Sequence, residues 1–324
     1  MTQTSPEPLD RPIFVVGHPR SGTTLLASML GRHPDIVSTP ESLYLNIVRF
    51  QVAPVLSKGP EAVLKVIENS PMRFLVLDRD ILLTALKALD TLSEATVFQT
   101  VLECFRAADG KPRLLEKTPW HLRGMDDLFE WFPDARILWI MRDGRACVAS
   151  LIKVPWATSD PIVLARQWVR NISIGKMLRD ERPDQVYMVR YEELIGDPRP
   201  VMEPVMTFLG VEPSEEMFEQ DREVRTVNPT ETWWKENVGR PLMSNRAEAW
   251  RKEMDPKLVS QLEMIMGPLL EDFGYATSED AAPSAVRNGI ERLRSVLMYN
   301  KPGLRLMRQG RDISARLQAR LKRS

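Results

Sequence analysis

The 324-residue sequence predicts an α/β protein: a P-loop-like open parallel sheet flanked by helices, with a helical insertion and a basic C-terminal helical extension. Three observations carry this. Short apolar runs alternate with stretches of helical period. The first run, IFVV (13–16), enters a glycine-bounded turn and leaves as a helix. The later runs RLLEKTPW (113–120), RILWIMRDGR (136–145) and QVYMVRYEEL (185–194) each deliver polar residues at their C-terminal ends.

In chain order, the first strand and its turn lead into a helix over 24–31, and HPDIVSTPE (33–41) holds a short second strand at 36–38. Residues 42–112 show helical period interrupted by Pro54, Pro60 and Pro71, and read as a helical insertion or cap. Helical stretches at 126–132, 146–153 and 161–178 lie between the later strands, an alternation that indicates parallel βαβ units. PRPVMEPVMTFLGV (198–211) is a helix with proline early and glycine late. Residues 227–250, rich in Trp, Asn and Arg, read as a long functional loop, and 255–275 as a capped amphipathic helix. The expected organisation is a tail at 1–10, one domain at 11–278, and the basic extension at 279–324.

Composition narrows the function. The formal charge is zero, but residues 287–324 carry 11 Lys and Arg against 2 Asp and Glu, leaving 33 basic and 42 acidic residues in 1–286. An acidic body argues against a dedicated nucleic-acid binder, whereas the tail alone suits an anionic surface. No charged-then-apolar leader opens the chain, and no apolar run approaches the roughly 18 residues of a membrane span. The expectation is a cytoplasmic protein. Cys104 and Cys147 have no metal-ligand or CxxC spacing and read as buried thiols, and His18, His33 and His121 are scattered without paired carboxylates.

The turn GHPRSGTT (17–24) has the Gly-x4-Gly spacing of a phosphate loop but lacks its lysine: Thr23 follows Gly22, and the basic residue lies earlier, at Arg20. Backbone N–H groups of 20–24 with the hydroxyls of Ser21, Thr23 and Thr24 would cradle a phosphate. In an open parallel sheet ligands bind beyond the carboxyl ends of the strands, so Arg20, Glu41, Lys117, Arg142 and Tyr191 are expected to converge although they are far apart in sequence. Such a basic set calls for an anion. Asp143, beside Arg142, is a weak metal candidate, so a donor that requires no metal fits better than a nucleoside triphosphate with magnesium.

PRSGTTLL (19–26), the Arg-x7-Ser arrangement in RDGRACVAS (142–150) and RYEEL (190–194) resemble the sulfotransferases that use 3′-phosphoadenosine 5′-phosphosulfate, in particular the branch with protein-tyrosine sulfotransferases and bacterial homologues. The resemblance covers about residues 11–275. It implies that Arg20, Ser21, Gly22, Thr23 and Thr24 bind the 5′-phosphosulfate, that Arg142 and Ser150 bind the 3′-phosphate, and that Tyr191 is an aromatic near the nucleotide. It further implies that Glu41, 21 residues after Arg20, is the general base, and that Lys117 with Arg20 stabilises the leaving oxygen. His121, four residues after Lys117, is the rival base, because small-molecule sulfotransferases use a histidine. His18 stands where the family has a small or apolar residue.

Some features depart from the family. Val154 occupies a position often basic there, and the nucleotide-covering loop is matched only loosely by 238–253, with Arg240, Ser244 and Arg246 as candidates. Trp156, Trp233 and Trp234 are candidates for an acceptor wall. The expected reaction is metal-free, in-line sulfuryl transfer to a hydroxyl or amine, with a metabolite, lipid or glycan hydroxyl preferred. The rival readings are a kinase or NTPase with a degenerate loop, and a non-enzymatic nucleotide-binding protein recruited to membranes by its tail. Peripheral membrane contact and homodimerisation stay open.

Overall fold

The computed structural model describes residues 9–219 and 247–278. The basic extension at 279–324, most of the loop at 227–250, and with it Trp233, Trp234, Arg240, Ser244 and Arg246, lie outside them.

Five parallel strands form the sheet in the order β2-β3-β1-β4-β5: β1 Ile13–Gly17, β2 Ile36–Ser38, β3 Arg113–Lys117, β4 Arg136–Met141 and β5 Val186–Arg190. All five strands expected from the apolar runs are present. β1 is buried along its whole length, as a central parallel strand covered on both faces must be, which is why it reads as a continuous apolar run without alternation. β1 lies between β3 and β4, with Ile13 opposite Leu115 and Gly17 opposite Ile140.

α1 (Thr23–Gly31) follows β1 directly. Between β2 and β3 the chain is helical: a π turn at Tyr44–Val48, α2 (Arg49–Val52), short 3-10 turns at Ala53–Lys58 and Pro71–Leu75, α3 (Pro60–Glu68), α4 (Arg79–Lys87) and α5 (Glu94–Asp109). α5 opens on a reciprocal capping box between Ser93 and Thr96 and closes on Gly110 in the left-handed conformation. A 3-10 turn, Pro119–Arg123, then leads to α6 (Met125–Trp131). α7 (Gly144–Leu151) and α8 (Pro161–Glu181) follow β4, and α8 starts where the Asp160 side chain accepts from the Ile162 and Val163 amides. α9 (Tyr191–Gly196) and α10 (Pro198–Leu209) follow β5; α11 (Trp250–Glu253) and α12 (Pro256–Asp272) complete the described chain.

The two faces of the sheet bury separate cores. Phe14, Val16, Ile137, Trp139 and Met141 pack with α5, α7, α8 and α12, while Ile13, Val15, Leu138 and Ile140 pack with α1, α9 and α10. Strand alternation sorts them. The first core is sensitive at Gly175 on α8, where a Cβ would lie 2.1 Å from the Trp139 indole. Gly175→Ala is expected to lower unfolding stability by about 1–3 kcal/mol through overpacking, read from the urea midpoint at unchanged slope. A midpoint at or above that of the native chain would show that Trp139 moves aside freely.

Both cysteines are buried free thiols, as expected, and burial raises the Cys104 thiol to about 11 and the Cys147 thiol to about 12. Among the described residues no helix is long and apolar enough to cross a membrane.

Candidate active site

Chain direction places the site. β1 and β4 are neighbours, yet the chain leaving β1 runs toward β2 on one side and the chain leaving β4 runs toward β5 on the other. The crevice between such divergent connections is where open α/β sheets bind ligands. The loop 18–22 follows β1 there, and Arg142 comes one residue after β4 ends.

The loop is built to present backbone. Ser21 N–H donates to the His18 carbonyl (3.1 Å), Arg20 holds a left-handed φ of 69°, and Gly22 has φ 99°. Glycine is required at 22 twice over, because a Cβ would also lie 2.4 Å from the Tyr191 ring. α1 starts at Thr23 with no side-chain cap, so its first N–H groups face the crevice end of the sheet. The Ser21 hydroxyl is fully buried and has no hydrogen-bond partner among the described residues.

Charged side chains from three other segments gather around this loop and its Arg20. Arg20 Nε donates to Ser150 Oγ (2.9 Å), an α7 serine 130 residues away, so the helix itself brings Ser150 in and no fold-back of the chain is needed. Arg142 donates to the Arg20 carbonyl (3.1 Å) and its guanidinium stacks 4.2 Å over the Tyr191 ring. Tyr191 is thus a buried support wedged between Gly22 and Arg142. Burial, and then the neighbouring Arg142, pull the Arg20 guanidinium below its ordinary value. Both effects act against positive charge at this position.

Lys117, at the end of β3 with a fully buried side chain, donates to Glu41 Oε1 (2.6 Å) and to Thr24 Oγ1 (3.4 Å). The Glu41 side chain keeps 15% exposure. The convergence expected from the strand ends is therefore present: Arg20, Ser21, Gly22, Thr23, Thr24, Glu41, Lys117, Arg142, Ser150 and Tyr191 form one cluster.

The remaining polar residues divide differently. His121 is buried, with its Nε2 accepting from the Leu45 N–H (3.3 Å) and its Nδ1 standing 3.0 Å from Glu116 Oε2. Nε2 is engaged by the backbone, and Nδ1 faces the buried Glu116 carboxylate at ion-pair distance. His18 is also buried; its Nδ1 accepts from Asn171 Nδ2 (2.8 Å), Asn171 Oδ1 accepts from Arg123 Nε (3.0 Å), and burial with the Arg123 charge pushes the imidazole down to about 3. His18 packs as a neutral ring. Asp143 caps α7 through the Arg145 N–H (2.8 Å) and pairs with the Arg145 guanidinium (2.7 Å), which spends it structurally. Among the described residues no group of three His, Cys, Asp or Glu side chains is placed to hold a metal ion. Trp156 is 45% exposed, beyond α7.

Sequence reasoning missed Glu116, Ser42, Thr118 and Asn171. Glu116 had a signal: a carboxylate one residue before Lys117 on a strand must face the opposite side of the sheet, where a buried charge demands partners.

Comparison with known proteins decides the family. The sulfotransferase family model matches residues 12–216. The chain belongs to the sulfotransferase family. It is 27% identical over 305 residues to nodulation protein NoeE of Sinorhizobium fredii, a match covering 86% of this chain and 69% of that protein. It is 29% identical over 206 residues to the protein-tyrosine sulfotransferase of Drosophila melanogaster, covering 61% of this chain and 38% of that one. In fold it is similar to the sulfotransferase domain of the curacin biosynthetic pathway, with a TM-score of 0.60 at 20% identity over 84% of this chain and all of that domain.

Proposed function

We propose that this sulfotransferase moves a sulfuryl group from 3′-phosphoadenosine 5′-phosphosulfate to a hydroxyl or amine acceptor by in-line displacement, with no covalent enzyme intermediate. The carrying observation is the pairing of Arg20 and Arg142 at a glycine loop whose buried Ser21 hydroxyl has no partner among the described residues. A bound anion answers both: it balances the positive charge brought together there and accepts from the Ser21 hydroxyl.

Arg20 to Thr24 then hold the 5′-phosphosulfate, and Arg142 with Ser150 hold the 3′-phosphate, Arg142 being kept in place by its stack on Tyr191. As the acceptor oxygen forms its bond to sulfur, Glu41 takes the acceptor's proton. The bond between sulfur and the bridging oxygen breaks, and its electron pair leaves with 3′,5′-bisphosphoadenosine. Lys117, held by Glu41, and Arg20, held by Ser150, are the cations assigned to stabilise that departing oxygen. Lys117, 2.6 Å from Glu41, also stabilises the negative carboxylate that a base requires.

Calorimetric titration with 3′,5′-bisphosphoadenosine, beside 5′-AMP and magnesium-ATP, tests the donor. Binding is expected to weaken by roughly 10- to 100-fold when the 3′-phosphate is absent, the worth of its charge-assisted bonds. A preference for magnesium-ATP would replace this reading with that of a kinase.

A further inference from the structure

The Lys117–Glu41 pair joins two segments that have no covalent reason to meet, and the structure shows what holds them. Glu41 ends the stretch after β2, and its own side chain is partly exposed. The next residues are pinned to the end of β3 one after another. Ser42 donates to Glu116 Oε1 through both its hydroxyl (2.7 Å) and its N–H (3.3 Å). Leu43 N–H donates to Thr118 Oγ1 (3.3 Å), whose hydroxyl donates in turn to the same Glu116 oxygen (2.6 Å). Leu45 N–H donates to His121 Nε2, and Asn46 Nδ2 donates to the Trp120 carbonyl (3.2 Å). Leu43 is held at φ 50°, a conformation that non-glycine residues adopt only when their surroundings impose it.

Glu116 is the hub. Its carboxylate is fully buried, and although burial pushes it up, His121 and the bonds from Thr118 and Ser42 outweigh this and hold it below the ordinary carboxylate range. β2 pairs with β3 as far as Thr39, whose N–H donates to the Leu115 carbonyl (2.9 Å), and beyond that point Ser42, immediately after Glu41, is tied to Glu116, immediately before Lys117, so the buried carboxylate continues the register past the strand ends to the two groups assigned to proton transfer and leaving-group stabilisation.

We propose that Glu116 is a positioning residue: with Ser42, Thr118 and His121 it clamps residues 42–45 onto the end of β3 and so fixes Glu41 against Lys117. The clamp acts on turnover through the assignment of Glu41 as base, on which it rests. Glu116 touches neither donor nor acceptor, so its loss moves kcat and leaves nucleotide affinity alone.

Glu116→Gln is the sharpest variant. Its amide oxygen can still accept from Ser42 and Thr118, but its NH2 then faces His121 Nδ1. The imidazole proton must move to Nε2, where it meets the Leu45 N–H, donor against donor. The expected result is a fall in kcat of roughly 10- to 100-fold, measured as release of 3′,5′-bisphosphoadenosine from the phosphosulfate nucleotide with water or a small phenol as acceptor, at unchanged affinity for 3′,5′-bisphosphoadenosine. In a Glu41→Gln background the same change is expected to add nothing, because the group being positioned is already gone.

A second readout needs no turnover. The amides of Ser42, Leu43 and Leu45 should exchange with solvent faster in Glu116→Gln, and in the milder Ser42→Ala and Thr118→Val, while β1 and β4 amides keep their protection. Native kcat with native exchange at 42–45 would overturn the clamp, as would a loss that multiplies in full with Glu41→Gln. If Glu41→Gln alone turns over normally, the base assignment falls and the clamp's link to turnover with it. A loss in Glu41→Gln combined with an independent, multiplying loss from Glu116→Gln removes only the clamp.

Discussion

Arg20→Ala is expected to reduce turnover of the phosphosulfate nucleotide by at least about 10³-fold, because one side chain serves both binding and charge stabilisation. Arg20 reaches Ser150 with its Nε and carries on its own carbonyl the contact from Arg142, so it couples the two groups proposed to hold the 3′-phosphate. Arg20→Lys is expected to recover little. A lysine keeps the charge but cannot donate to Ser150 and also present a planar fork to the transferred group. The backbone at this residue has φ 69°, which costs arginine and alanine alike, so the unfolding midpoint should stay near that of the native chain. Measurement of turnover alongside 3′,5′-bisphosphoadenosine affinity checks this, and activity within a few-fold of native in Arg20→Ala would remove the residue from the reaction.

Glu41→Gln is expected to behave differently, with kcat lower by on the order of 100-fold or more and nucleotide affinity retained. The amide preserves volume and can still accept from Lys117, so Lys117 remains in place while the proton acceptor is lost. The alternative base, His121, has little room to compensate: its Nε2 is occupied by the Leu45 N–H and its Nδ1 lies against Glu116. Single-turnover kinetics with pre-bound donor isolates the chemical step. An undiminished rate in that experiment would exclude Glu41 as base.

Much of the scaffold behind these expectations was legible in the sequence. Each strand announced itself as a short apolar run ending in polar residues, since parallel strands buried on both faces have no polar alternation and discharge their functional groups where the sheet stops. The glycine loop was legible because spacing and conformation are linked: φ 99° at Gly22 and the close Tyr191 ring admit no side chain. Helix starts were marked by Asp160 and Asp255, each followed by proline. Less legible were the buried polar residues. In LLEKTPWHL the position of Glu116, one before Lys117 on a strand, signals the opposite face of the sheet but not its partners, and His121 reads equally as a base or as a packed ring until its surroundings are known.

By itself, the sequence determined the fold class, the order of strands along the chain and the residues that strand ends deliver to one edge, because these follow from hydrophobic period, turn chemistry and the geometry of parallel sheets. Only the tertiary structure decided which charges meet. Arg20 with Ser150, Arg142 with Tyr191, and Lys117 with Glu41 are pairs separated by tens of residues or more, and their distances depend on how helices and strands pack. The same packing assigned His121, His18 and Asp143 to the interior framework. A side chain's chemistry is written in the sequence, but its partners and its exposure to water, which set whether that chemistry is available, exist only once the chain has closed around it.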